Sequence, residues 1–341
     1  MKQATLISPG NIVFSEVGTP TELGDNDVLI NIKKIGICGS DIHAYKGKHP
    51  FTPFPVIQGH EYSGEVVAIG AEVRSVKIGD KVTGRPQLTC GTCGPCCAGL
   101  YNVCANLKVE GFQAPGTARD YFVLPEDRTY VAPDQVSYDE IALLEPAAVA
   151  AHATAMIRDI ENKNIVVTGA GPIGNLIAQF AKIRGAKRVI VTDFNDFRLN
   201  QLKQTGIGDL INLSVETFEE GIDRILKGES FQVGIEAVGV EPALYNLINN
   251  IEKAGQVLIV GVYEEFPRLN MGFVGEHELS IQGSMMYKHE DYLQALNFVV
   301  SGQLVLKTLI THRFDFQDYN EAYAFIEKNA SQTIKVLIDV N

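Results

Sequence analysis

The stretch Asn164-Ile165-Val166-Val167-Thr168-Gly169-Ala170-Gly171-Pro172-Ile173-Gly174 runs an apolar β-type segment straight into a Gly-x-Gly-x-x-Gly turn. Beyond it, Ile173, Leu176, Ile177 and Phe180 recur at helical spacing, which predicts an amphipathic helix to about Ile183. A second strand over 188–192 ends at Asp193, nineteen positions after the last glycine. Strand, glycine turn, helix and trailing acid, in that order, are the context in which the motif binds a dinucleotide. Gly169 permits the tight turn, Gly171 lets backbone approach a pyrophosphate, and Gly174 lets helix and strand pack closely. Pro172 and Ile173 open the helix, whose N-terminus offers free N–H groups and the positive end of its dipole to phosphates. Asp193 is expected to accept hydrogen bonds from the adenosine ribose hydroxyls and to repel a 2′-phosphate, which favours NAD over NADP. The alternative for Asp193 is a loop carboxylate capping the next helix. Arg198, one helical turn further on, is a cofactor-side candidate through a 2′-phosphate, or else a solvated face residue.

Outward from this point, strands are expected at Asp209–Asn212, 231–235, 256–260 and 278–282, with helices over 215–227 and 241–251 between them. Such alternation specifies an α/β unit with a doubly wound parallel sheet. The first 145 or so residues have another texture: Gly- and Pro-rich, with short β runs at 28–35, 65–69 and 120–123, as in an irregular barrel-like β domain. After Met285 the pattern changes again, to helices near 291–301 and 319–329 and a final strand over 334–340. A length of 341 residues suits two domains, and 45% hydrophobic with 21% charged residues supplies ample core. The net charge of −12 argues against nucleic acid or an anionic membrane as partner. No segment has the length and apolarity of a membrane span or signal peptide, so a cytoplasmic location is expected.

Cys90, Cys93, Cys96 and Cys104 follow the spacing Cys-x2-Cys-x2-Cys-x7-Cys in a chain with six cysteines. Four thiolates that close in sequence enclose one tetrahedral zinc with no open position, which describes a structural site. A disulfide knot is the weaker alternative, since a chain of this size needs no staples. The neighbouring Cys97 is left as a spare thiol. Cys38 stands apart, in Gly36-Ile37-Cys38-Gly39-Ser40-Asp41-Ile42-His43, with Gly59-His60-Glu61 and Leu144-Glu145-Pro146 downstream. Cysteine, histidine and carboxylate together make a zinc set whose three protein ligands leave a position for substrate. Singly, Cys38 reads as a small buried hydrophobe, His60 as a satisfied core histidine and Glu61 as a surface charge.

Together, Cys38, Gly59-His60-Glu61, the four-cysteine lobe and Gly169–Gly174 resemble the zinc-dependent medium-chain dehydrogenases, over nearly the whole chain from about residue 25. Gly-His-Glu followed by a Glu-Pro pair is similar to the polyol (sorbitol) and threonine dehydrogenase branch. The resemblance implies a GroES-like, β-rich catalytic domain of residues 1–148 and 286–341, interrupted by a Rossmann NAD-binding domain over 149–285, with the active site in the cleft between them. It implies two zinc ions per subunit, one catalytic on Cys38, His60 and Glu61, and one structural on Cys90, Cys93, Cys96 and Cys104. Glu145 either ligates the catalytic zinc or holds a zinc-bound water. Ser40 and His43 match the family's proton relay, and Asp41 its carboxylate behind the histidine ligand, with turn capping as the alternative for Ser40 and Asp41. Lys335 occupies a place where the family often has a basic residue near the pyrophosphate.

The implied reaction is reversible oxidation of a secondary alcohol to a ketone, with hydride passing to NAD. The implied substrate is a small polyol, sugar alcohol or polyol phosphate. L-Threonine 3-dehydrogenase and butanediol dehydrogenase are the alternatives, and a non-catalytic dinucleotide-binding protein the distant one. Departures bear on the substrate: Ala44-Tyr45 follows the relay histidine, and Met286-Tyr287 replaces the Arg-Tyr pair common in sorbitol dehydrogenases. Lys46, Lys48 and His49 could favour a phosphorylated polyol or sugar acid, or form a solvated loop, while Phe51, Phe54 and Phe112 are candidates for a pocket wall. A homo-oligomer, tetramer or dimer, is expected, with 278–282 as the dimer edge strand.

Overall fold

Asn164–Thr168 is buried along its whole length, and no residue of it alternates outward. A strand covered on both faces belongs inside a parallel sheet. In the computed structural model, which describes residues 1–340, it is central to a six-stranded sheet. The order across the sheet is Asp209–Asn212, Arg188–Asp193, Asn164–Thr168, Val233–Glu236, Gln256–Ile259 and Ser280–Gly283, every pair parallel. The order reverses between Asn164–Thr168, the first of these strands in the chain, and Val233–Glu236, and ligands of open α/β sheets bind beyond the strand ends at such a reversal. Val166, Ile190, Ile211, Phe218, Phe231, Leu247 and Val257 form one layer of the core.

Local capping sets the helix boundaries. The helix expected from residue 215 begins at Phe218 and ends at Leu226. Thr217 delays it, its Oγ1 accepting the Glu220 N–H at 3.2 Å while Glu220 returns a carboxylate to the Thr217 N–H at 2.9 Å. This reciprocal pair satisfies two N-terminal donors.

By contact, the chain divides into two units: Met1–Glu145 with Lys288–Ser301 and Ile310–Asn341, and Pro146–Tyr287 with Gly302–Leu309. Asn341 itself lies outside the described residues. The second piece of the Rossmann unit corrects the expectation that 286–341 belongs wholly to the catalytic domain. Gln179, on the helix Pro172–Ile183, donates to the Val305 carbonyl at 3.1 Å and accepts the Val305 N–H at 2.9 Å. Leu304, Leu306 and Leu309 are buried beside that tie.

In the first unit a seven-stranded sheet is organised on Asp27–Ile37, an eleven-residue strand. Glu61–Ile69 and Tyr121–Pro125 pair with it antiparallel, and so does the C-terminal strand Lys335–Asp339. Ile30, Ile32, Ile35, Tyr62, Val66, Leu124, Val336 and Ile338 fill the core. The register sets Gly36 opposite Glu61 on one side and Leu337 on the other. Among the described residues no helix is long and apolar enough to cross a membrane.

Candidate active site

Three short segments carry the mixed-ligand cluster. Cys38 caps the helix Gly39–Tyr45, and Asp41, three residues on, accepts the Cys38 N–H at 2.9 Å. His60 and Glu61 lie where the next strand begins, after Gly59 at φ +92. A side chain at Gly59 would be strained at that angle and would meet Thr117 Oγ1 and the Ala118 backbone. One ligand atom each from Cys38, His60 and Glu61 lies within 4.8 Å of the others. Glu145 is not among them. It is buried in the first turn of the helix Leu144–Ala155, near enough for its charge to bear on Tyr292 and Lys335.

Lys335 has partners that its sequence context did not suggest. It is 2% exposed, and its Nζ donates to Glu61 Oε2 at 2.6 Å, Glu61 Oε1 at 2.8 Å and the Ile37 carbonyl at 3.2 Å. Its ammonium is paired with the carboxylate beside Cys38. Gly36 makes this pairing possible, because the Glu61 carboxylate lies where a Cβ at Gly36 would stand. Neither role was legible in the sequence, although a glycine inside a long strand signals a close approach.

Electrostatically the cluster calls for a cation. Burial pushes the His60 imidazole down, yet the Asp41 carboxylate and the Cys38 sulfur raise it well above its usual value. Lys335 is likewise lowered by burial and raised on balance by Glu61 and Cys38. His60 Nδ1 and Asp41 Oδ1 face each other at 3.5 Å, and neither has another hydrogen-bond partner. A carboxylate behind a metal-bound imidazole commonly sets its tautomer and orientation. Soft sulfur, imidazole and carboxylate suit zinc, with a coordination position left open.

Ser40 and His43 share the helix that Cys38 caps, both partly exposed. Phe112, 6% exposed, lies against His60 at a ring separation of 5.0 Å and stacks on His49 at 4.7 Å. His49 Nδ1 is 2.7 Å from the Thr52 hydroxyl. Lys46, one of the loop residues considered for substrate contact, is paired with Glu327 at 3.2 Å, and Tyr45, which ends the helix, stacks on Tyr323. Phe51 is exposed, and Tyr287 is buried in the Rossmann unit.

Cys90, Cys93, Cys96 and Cys104 also bring their sulfurs within 4.8 Å of one another, and all six cysteines are free thiols. Backbone N–H groups point at the sulfurs: Cys90 and Asn106 at Cys104 (3.3 and 3.4 Å) and Ala105 at Cys93 (3.4 Å). Hydrogen bonds from Thr92 and Cys93 lower the Cys90 thiol to about 5, whereas burial and neighbouring thiols push Cys96 up to about 12. A set this crowded ionises fully only around a cation, as zinc supplies. Cys97 points away, its sulfur 3.6 Å from the Thr92 carbonyl.

In the Rossmann unit the three glycines do separate work. Gly169 has φ +92, nothing lies within 4 Å of a Cβ at Gly171, and one at Gly174 would run into the Gly169 carbonyl. Pro172 follows Gly171, the cap of the helix Pro172–Ile183. Asp193 Oδ2 accepts the Ala170 N–H at 2.7 Å and Oδ1 the Asn195 N–H at 2.9 Å. The acid therefore both braces the glycine turn and orders the entry to the helix Asp196–Lys203, which Asn195 caps through the Arg198 N–H.

Residues 24–134 match the alcohol dehydrogenase GroES-like domain, and 172–301 match the zinc-binding dehydrogenase domain. The L-threonine 3-dehydrogenase of Cronobacter sakazakii is 33% identical over 344 residues, 99% of either chain. Galactitol-1-phosphate dehydrogenase from Escherichia coli superposes with a TM-score of 0.92 at 29% identity, all of both chains being covered. An alcohol dehydrogenase from Escherichia coli CFT073, solved with NADH, gives 0.91 at 31% identity over 100% of this chain and 99% of that one. Matched in both domains and along its whole length, the chain belongs to the zinc-type medium-chain dehydrogenase/reductase family, with zinc and a nicotinamide dinucleotide as cofactors.

Proposed function

We propose that the protein oxidises a secondary alcohol of a polyol or sugar derivative to the ketone, reversibly and with NAD as hydride acceptor. The observation that carries this reading is the convergence of Cys38, His60 and Glu61 within 4.8 Å, a three-ligand set with Glu145 outside it. Zinc held there supplies Lewis-acid polarisation of the substrate oxygen. Ser40 Oγ accepts the alcohol proton, and the His43 imidazole passes it to solvent. Glu145 holds a water near the ligands in this reading. The second zinc sits on Cys90, Cys93, Cys96 and Cys104 as a brace without chemistry. Asp193 selects NAD through the ribose hydroxyls, with Gly169, Gly171, Pro172, Ile173 and Gly174 around the pyrophosphate and Arg198 on the adenosine side.

L-Threonine is the second reading, favoured by the match to threonine dehydrogenases along the whole chain. The strand Ser280–Gly283 has one unpaired edge among the described residues, which supports an edge-to-edge homodimer or a tetramer built from such pairs. Following NADH formation on polyols, polyol phosphates, threonine and butanediol tests the substrate. The fastest turnover should fall on a polyol or its phosphate; threonine as the one substrate oxidised would replace this reading with the second.

A further inference from the structure

Gln58 directly precedes Gly59-His60-Glu61 and is 1% exposed. Both ends of its amide are used. Nε2 donates to the Asp41 main-chain oxygen at 2.9 Å, and Oε1 accepts the Tyr323 hydroxyl at 3.0 Å. Asp41 belongs to the other ligand-bearing segment, where Oδ2 accepts the Cys38 N–H and Oδ1 faces His60 Nδ1 at 3.5 Å. Tyr323, on the helix Tyr319–Lys328, stacks on Tyr45 at 4.5 Å, so the strut also reaches the far end of the helix that Cys38 caps. Val56 and Ile57 precede Gln58, and an apolar side chain could fill this site. A buried amide is costly unless both ends are bonded, and a neutral amide can donate at one end while accepting at the other.

We propose that Gln58 is a positioning residue of the metal centre. It holds the segment carrying His60 and Glu61 at a set distance from the turn carrying Cys38, and it aims the Asp41 carboxylate at His60 Nδ1. The inference rests on reading Cys38, His60 and Glu61 as the catalytic zinc site.

The test uses the zinc-loaded enzyme. Gln58→Met keeps the volume and removes both bonds. Gln58→Glu keeps an acceptor for Tyr323 and loses the donor to Asp41, and Tyr323→Phe removes the anchor alone. Three quantities are read: the rate at which a chelator removes each zinc, the visible bands after cobalt replaces the catalytic zinc, and kcat beside the KM for NAD. Both Gln58 variants should lose the catalytic zinc roughly ten-fold faster or more, the lower end of what a group behind a metal ligand contributes. The cobalt bands should shift and kcat should fall, while the cysteine-bound zinc and the KM for NAD stay as in the wild type. Tyr323→Phe should move the same readouts less, and it keeps the inference testable if Gln58→Met does not fold. Folded Gln58 variants with wild-type zinc retention and cobalt bands would overturn the inference, even with lowered thermal stability. A wild-type enzyme holding zinc at the cysteine lobe alone would overturn the reading of the centre itself, and this inference with it.

Discussion

Lys335 Nζ lies 2.6 Å from Glu61 Oε2, with side-chain exposures of 3% and 1%. The two residues sit on strands that flank Asp27–Ile37 on opposite sides, and the carboxylate crosses above Gly36 to reach the ammonium. The pair gives the candidate metal cluster an internal counter-charge, with Lys335 Nζ donating to both Glu61 oxygens.

Replacing Lys335 with methionine strands a buried carboxylate. Removing one member of a buried pair costs about 3–5 kcal/mol, and most of that loss should appear here. Denaturant titration of wild type and variant measures it. A midpoint within error of wild type would mean that the pair is not formed in solution. Lys335→Arg should also lose stability, because the planar guanidinium does not reproduce the compact ammonium.

Cys38→Ser should remove activity and one zinc of two while the fold persists. Metal content per subunit, with circular dichroism to check folding, decides this. A variant that kept wild-type turnover would take Cys38 out of the catalytic set.

Cys104→Ser breaks the closed lobe and should act in the opposite order. The second zinc leaves and the thermal midpoint drops, while kcat per folded, catalytically loaded subunit changes little. A collapse of kcat with unchanged stability would give the lobe a direct part in the chemistry.

Asp193→Gly removes the carboxylate and with it the bonds to Ala170 and Asn195. The ratio of kcat/KM for NAD to that for NADP should fall at least ten-fold, equivalent to about 1.4 kcal/mol in transition-state free energy. Some stability should go too, since hydrogen bonds to charged groups are worth about 1.5–3 kcal/mol. Asp193→Asn retains one acceptor and separates the two effects: bracing is partly kept while the charge is lost. Unchanged selectivity in both variants would leave Asp193 as a brace and nothing more.

Much of the fold was legible because its signals are local. The helix that opens at Pro172 shows in the spacing of Ile173, Leu176, Ile177 and Phe180, and the strand Asp209–Asn212 ends at the residues expected. The three glycines announce a turn whose backbone angles and clearances belong to glycine. The cysteine lobe spans fifteen residues, so its spacing already limits its geometry. Gly302–Leu309 was not legible, because nothing in its composition says which neighbour Val305 will bond.

The sequence by itself therefore determined the parallel sheet with its glycine turn, the donor types of the candidate metal sites and the family. Each rests on periodicity, backbone permission or donor chemistry within a few residues. Tertiary structure alone decided that Lys335 serves Glu61, that Gly36 clears the path between them, and that Gln58 ties Asp41 to Tyr323. Those partners are 274, 25, 17 and 265 positions apart for Lys335–Glu61, Gly36–Glu61, Gln58–Asp41 and Gln58–Tyr323. Antiparallel register and helix docking choose such neighbours, because a strand's partner is set by which buried faces pack together and not by the residues beside it in the chain.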